Sequence, residues 1–155
     1  MAGYRALTHV PLLLIDKSER ATARHRRHLL ALVAPFVVFA ALVGLPWNPI
    51  YPGIVAMAFG AAAAVWCRPD LWRSTLFGGV IFLGLYTLFL LGLKWLWPGY
   101  IEAVWNLDDL LGWRPWGLPL EEMLFGFAFG MYWSGVYEHL TWTSSVVHAR
   151  QATRA

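Results

Sequence analysis

The chain of 155 residues is 59% hydrophobic and 14% charged, with ten Trp and nine Phe and a mean hydropathy of +0.52. That composition belongs to the membrane class and excludes an ordinary soluble globular domain. The net charge of +3 and pI near 9.3 do not indicate nucleic acid as a partner, because the cations concentrate beside apolar stretches, where they set orientation in a bilayer.

Residues 1–27 form a basic segment with an apolar run of about ten residues and no small-residue cleavage site, so a cytoplasmic or interfacial segment is expected in place of a cleaved signal peptide. Arg24, Arg26 and Arg27, with His25 and His28, read as an orientation anchor that also favours anionic lipid. A hydrocarbon core of about 30 Å requires about 20 apolar residues at 1.5 Å each. Four stretches approach that length: His28 to Leu45, Ile50 to Cys67, Thr75 to Trp97 and Leu118 to Leu140. The expected fold is therefore all-α, an integral membrane helical bundle of about four transmembrane helices plus a short interfacial helix. It forms one transmembrane domain over 28–140, followed by a polar tail over 141–155.

The first two spans are joined by LPWNPIYPG, whose Pro46, Pro49, Pro52 and Gly53 predict a tight hairpin. A short polar loop, RPDLWRS, precedes the third span. Ten of the twelve Lys and Arg lie before the first span, in this loop or after the fourth span, and only Lys94 and Arg114 lie on the other side. That asymmetry predicts a multi-pass protein of the cell membrane with both termini cytoplasmic. Trp47, Trp95, Trp97, Trp105, Trp113 and Trp116 mark the far boundary as an aromatic belt. Between Pro98 and Gly117, Glu102, Asn106 and Asp109 share one helical stripe, which predicts a short helix in the interface.

The fourth span opens with Glu121 and Glu122. An acid inside a membrane span is costly and marks a candidate functional site. A helix N-terminus also tolerates acids, through its unpaired N–H groups and dipole, and Pro119 suits a first turn, so capping and chemistry both remain open. At 100° per residue, Glu122 shares a face with Gly126, Phe129, Trp133 and Tyr137. An acid heading an aromatic stripe suits proton delivery to an apolar alkene, with the resulting cation shielded from water. Mutual repulsion disfavours two adjacent negative charges, so the pair is suited to holding one exchangeable proton between them. Lys94, Asp108 and Asp109 are expected on the same side as Glu121, as a possible ion-pair partner or second acid. Glu138 and His139 read as an interfacial pair at the opposite end. Gly126, Gly130 and Ser134 form a small-residue line suited to close helix contact, within the chain or between subunits. The scattered histidines show no metal-binding spacing, and no glycine-rich phosphate loop is present, so neither metal nor cofactor is expected.

Pro119, Leu120, Glu121 and Glu122, followed by Leu124 and Phe125, resemble the Pro-x-Glu-Glu motif of the membrane lycopene cyclase domain, over roughly Ile50 to Leu140. The resemblance implies redox-neutral cyclisation of the linear ends of lycopene, an isomerase reaction of carotenoid biosynthesis. By position it implies Glu121 and Glu122 as the catalytic acid/base pair, and Pro119, Phe125, Phe129, Trp133 and Tyr137 as substrate-binding residues. The partners implied are the lipid bilayer, a polyene isoprenoid substrate and, since one motif copy is present, a second copy or a second cyclase-domain subunit. Two other readings compete with this one. The first is a non-catalytic membrane assembly protein built on the line Gly126, Gly130, Ser134. The second is a CAAX-type intramembrane protease, whose Glu-Glu-x-x-x-Arg pattern places Gly126 at the Arg position here.

Overall fold

A computed structural model describes residues 26–141, and every regular element among them is helical. The elements are α1 Arg26–Leu42, α2 Ile50–Cys67, α3 Trp72–Leu96, α4 Tyr100–Val104 and α5 Leu120–Thr141, with single 3-10 turns at Pro69–Leu71, Leu107–Asp109 and Pro115–Gly117. Residues 1–25 and 142–155 lie outside the described part, and so do the expected N-terminal anchor residues Arg24 and His25 and nearly all of the polar tail.

Hydropathy accounts for the long helices. Ile50–Cys67 and the run Pro69–Leu96 are each long and apolar enough to cross a membrane, whereas the apolar part of α1, Leu29–Leu42, is shorter. Helix α5, with 22 residues, carries Glu121 and Glu122 in its first turn. The third helix begins at Trp72, ahead of the expected Thr75, because Pro69 starts a 3-10 turn that runs directly into it.

Helix α5 packs between α2 and α3, which scarcely touch one another, and α1 lies chiefly against α2. Small residues make this sandwich possible. A Cβ at Gly78 would stand 2.6 Å from Ser134 Cβ, and one at Gly126 would stand 2.8 Å from Tyr86 Cδ1. Gly130 lies against Gly79 and Phe82 of α3. The line Gly126, Gly130, Ser134 is thus spent inside the chain, on α3, which settles the open choice between internal and intersubunit contact. On the other flank Gly60 of α2 fits under the Tyr132 ring. The Tyr132 hydroxyl donates to the carbonyl of Leu32, at 2.9 Å, beside the turn that Pro35 deprives of an N–H donor.

The stretch between α3 and α5 departs from expectation. It is not one interfacial helix: α4 ends at Val104, Trp105 and Leu110 are extended, and Gly99 and Gly112 take positive φ (88° and 78°). Glycine adopts that backbone readily, and a continuous helix cannot contain it. Leu90 of α3, Ile101 of α4 and Leu118 pack into one buried cluster, flanked by Tyr86 and Trp105. The loop is therefore fastened to the bundle and does not float above it.

Candidate functional site

Glu121 and Glu122 enter α5 immediately after Pro119, and both are buried, Glu121 at 1% and Glu122 at 8% exposure. Neither carboxylate caps its own helix. Each reaches instead to groups on other elements, so the capping explanation does not account for how their oxygens are used.

Glu121 Oε1 accepts two hydrogen bonds, from the Tyr51 hydroxyl of α2 at 3.0 Å and from the Leu111 backbone N–H of the loop at 2.7 Å. Its Oε2 is buried and has no hydrogen-bond partner among the described residues. Glu122 is held through both oxygens: the Tyr86 hydroxyl of α3 donates to Oε2 at 2.6 Å, and the Trp105 indole N–H donates to Oε1. Two donors from two different elements fix each carboxylate far more tightly than side-chain torsions alone.

Glu122 also lines an open groove of about 330 Å³. Its walls are Asn48 and Ile50 on one side and Val104, Trp105, Asn106 and Leu110 on the other, with Phe125 beside the acid. That volume is at the lower end for small-molecule sites, which are mostly apolar with a few placed polar groups. A second groove of about 400 Å³ lies on the other side of Asn48 and is lined by Pro46, Trp47, Pro49, Tyr51 and Asp109.

From Phe125 a ladder of rings runs along α5. Phe125 stacks on Phe129 (centroids 6.2 Å apart) and Phe129 on Trp133 (5.8 Å, planes 7° apart). Phe129 also meets Phe82 of α3 at 4.9 Å, and Phe82 leads to Tyr86, the donor to Glu122. Phe129 and Trp133 of the expected stripe thus stack on one another, and Phe129 reaches the acid through Phe82 and Tyr86. Trp133, 60% exposed, brings the stripe to the surface.

The other expected residues divide. Pro119 is buried and lines neither groove; its place is structural, at the turn that starts α5. The Tyr137 side chain lies outside the described residues, as does that of Glu138. Lys94 does not pair with Glu121: its Nζ donates to the carbonyl of Trp116 at 2.8 Å and so holds the turn ahead of α5. Asp109 accepts from the Asn106 side chain, and Asp108 is exposed. His139, expected at the membrane interface, is buried among protein atoms, its Nδ1 2.7 Å from the Gly135 carbonyl oxygen one turn earlier.

Four participants escaped sequence reasoning. Tyr51 and Tyr86 lie 70 and 36 residues from the glutamates they serve, and no local pattern links them. The Leu111 donor is backbone and leaves no side-chain signal. Trp105 carries a signal, an indole close to the motif, but its place among the far-boundary tryptophans suggests only an aromatic belt, whereas its N–H turns inward to Glu122.

No curated protein and no solved structure matches the chain. The family described as lycopene cyclase matches residues 48–140, more than half of the 155. The match takes in both glutamates, all four of their donors and the walls of the groove beside Glu122. By this match the chain belongs to the lycopene cyclase family.

Proposed function

We propose that the chain is a carotenoid end-group cyclase, or one subunit of such an enzyme, embedded in the cell membrane as a multi-pass protein of four spans with both termini cytoplasmic. The observation that carries this reading is Glu122. It is a buried carboxyl held by Tyr86 and Trp105 on the wall of a groove that also presents Ile50, Leu110 and Phe125. Helix α5, at 22 residues, extends about 33 Å at 1.5 Å per residue, which suits a span despite its two acids.

The reaction is an isomerisation. A proton from the carboxyl adds to the terminal alkene of a linear polyene, forming one C–H bond and leaving a tertiary carbocation. The neighbouring double bond attacks that cation, closing a C–C bond and forming the ring. Loss of a proton from a ring carbon to the carboxylate restores both the alkene and the acid. Proton and electron counts balance, so the reaction as written consumes no oxidant, reductant or cofactor. Ring faces favour a passing cation, and Phe125, with Phe129 and Trp133 stacked beyond it, supplies a track of about 12 Å along α5 for the conjugated body. Since the chain carries one Pro-x-Glu-Glu motif, the working unit pairs it with a second copy or with another cyclase-domain subunit.

Expression in lycopene-accumulating cells, alone and together with a second protein carrying Pro-x-Glu-Glu, tests this function. Cyclic product is expected in at least one arrangement, and Glu122→Gln is expected to reduce it by about 100-fold or more, the usual scale of general acid–base catalysis. Absence of cyclic product in both arrangements, or full activity of Glu122→Gln, would remove the proposal.

A further inference from the structure

The two glutamates are adjacent in sequence but differ in what they can reach. Glu122 lines the groove; Glu121, 1% exposed, lines neither groove. A group that exchanges protons with a substrate must meet it, and Glu121 meets neither groove directly; its link to the second groove runs through the Tyr51 hydroxyl, whereas Glu122 itself stands in a groove wall. The Oε2 of Glu121 is buried with no hydrogen-bond partner among the described residues, and its Oε1 is occupied twice.

The positions of its two donors carry the argument further. Tyr51 follows Ile50, which stands in one wall of the groove, and Leu111 follows Leu110, which stands in the opposite wall. Glu121 Oε1 therefore ties the two walls together through residues immediately adjoining them. No other hydrogen bond among the described residues joins α2 to the loop between α4 and α5. Accepting from a backbone N–H and a hydroxyl at once, one carboxyl oxygen fixes the separation of two elements that are far apart in sequence.

We propose that Glu121 is a positioning residue, a clasp that sets the width of the groove, and that Glu122 alone of the pair exchanges a proton with substrate. The inference rests on the cyclase reading for the role of Glu122, whereas the clasp stands on the geometry. Replacement by Gln preserves an oxygen able to accept both hydrogen bonds. Replacement by Ala removes the clasp, and Tyr51→Phe removes one of its two arms while sparing the protein a cavity.

The test measures wild type, Glu121→Gln, Glu121→Ala, Tyr51→Phe and Glu122→Gln in lycopene-loaded vesicles, together with amide hydrogen exchange of the peptide containing Leu111. Glu121→Gln should keep kcat within about threefold, since both hydrogen bonds survive. Glu121→Ala should raise KM about tenfold and accelerate exchange at Leu111 by a similar factor, the effect expected of losing a hydrogen bond to a carboxylate. Tyr51→Phe should raise KM in the same direction and less far. Glu122→Gln should lower kcat by about 100-fold with exchange at Leu111 unchanged. A Glu121→Gln protein as inactive as Glu122→Gln with its Leu111 amide still protected would overturn the division of roles. Unchanged exchange and KM in both Glu121→Ala and Tyr51→Phe would overturn the clasp. Should Glu121→Ala not accumulate, Tyr51→Phe decides the clasp by itself. A wild-type protein that gives no cyclic product defeats the cyclase reading and the role of Glu122 with it, and the exchange measurements still judge the clasp.

Discussion

Substituting Gly126 by Ala tests whether helix packing and the acid are one system. The added Cβ would lie 2.8 Å from Tyr86 Cδ1, against a favourable carbon–carbon separation of about 3.5 to 4.0 Å. The Tyr86 ring must retreat by about 1 Å, and its hydroxyl, now 2.6 Å from Glu122 Oε2, would move beyond the roughly 3.0 Å limit of a good O–H···O bond. Phe82 and Phe89 stack on Tyr86 at 6.0 and 6.4 Å, so the ring cannot simply swing aside. Losing a hydrogen bond to a carboxylate costs about 1.5 to 3 kcal/mol, and expressed wholly in the barrier this slows cyclisation by roughly 10- to 150-fold. The assay is cyclic product per folded protein, resolved by chromatography of the pigments, for Gly126→Ala, Tyr86→Phe and the double variant. Because both single changes remove the same hydrogen bond, their effects should not add, and the double variant should be little worse than either. Additive losses, or a Gly126→Ala protein as active as wild type, would refute the coupling.

Trp105→Phe retains a ring against Tyr100 but removes the indole N–H that Glu122 accepts; a fall of about tenfold in kcat is expected in the same assay, from a hydrogen bond worth about 1.5 kcal/mol. Gly130→Leu is expected to part α5 from α3 and abolish folding itself, because this glycine packs against Gly79 and Phe82 of the same chain; loss of the folded monomer in detergent, by size and thermal melting, checks it, and a well-folded variant defective only in assembly would contradict it. Trp116 holds a left-handed φ of 54° while its side chain is 68% exposed. Trp116→Gly should relieve about 1 kcal/mol of strain and raise the melting temperature by about 2 to 4 °C.

How far the sequence discloses the molecule can be judged from particular residues. Ile50–Cys67 has the same bounds in sequence and structure, because Pro46 and Pro49 before it and Arg68 and Pro69 after it delimit an apolar run; Pro52 and Gly53, expected in the hairpin turn, lie instead in the first turn of the helix, where a missing N–H costs nothing. The acids and the rings below them are legible because both lie on one helix, where spacing fixes direction. The loop from Trp97 to Pro119 is not legible in that way. Its stripe of Glu102, Asn106 and Asp109 imitates a helix, but the extended backbone at Trp105 and the non-helical Asn106 after it break the periodicity that such a count assumes. The donors to the acids come from tertiary approach, and a helical wheel contains no information about a neighbouring helix. The role of Lys94 illustrates the same point: its charge suggested an acid partner, whereas the nearest acceptor that the fold offers is the Trp116 carbonyl.

Because α2 and α3 meet chiefly through α5, the site has an order of assembly built into it. Helices α1 and α2 can pair as soon as both are made, and α3 then waits with its glycine face at Gly78 and Gly79 uncovered. Only when α5 follows do Tyr51 and Tyr86, made much earlier, come within reach of a common pair of acids. A ribosome that stops before residue 120 therefore leaves a hairpin and an orphan helix, with no partial site between them. The motif helix is the last described element to be made and the one that gathers the separate helices around the two acids.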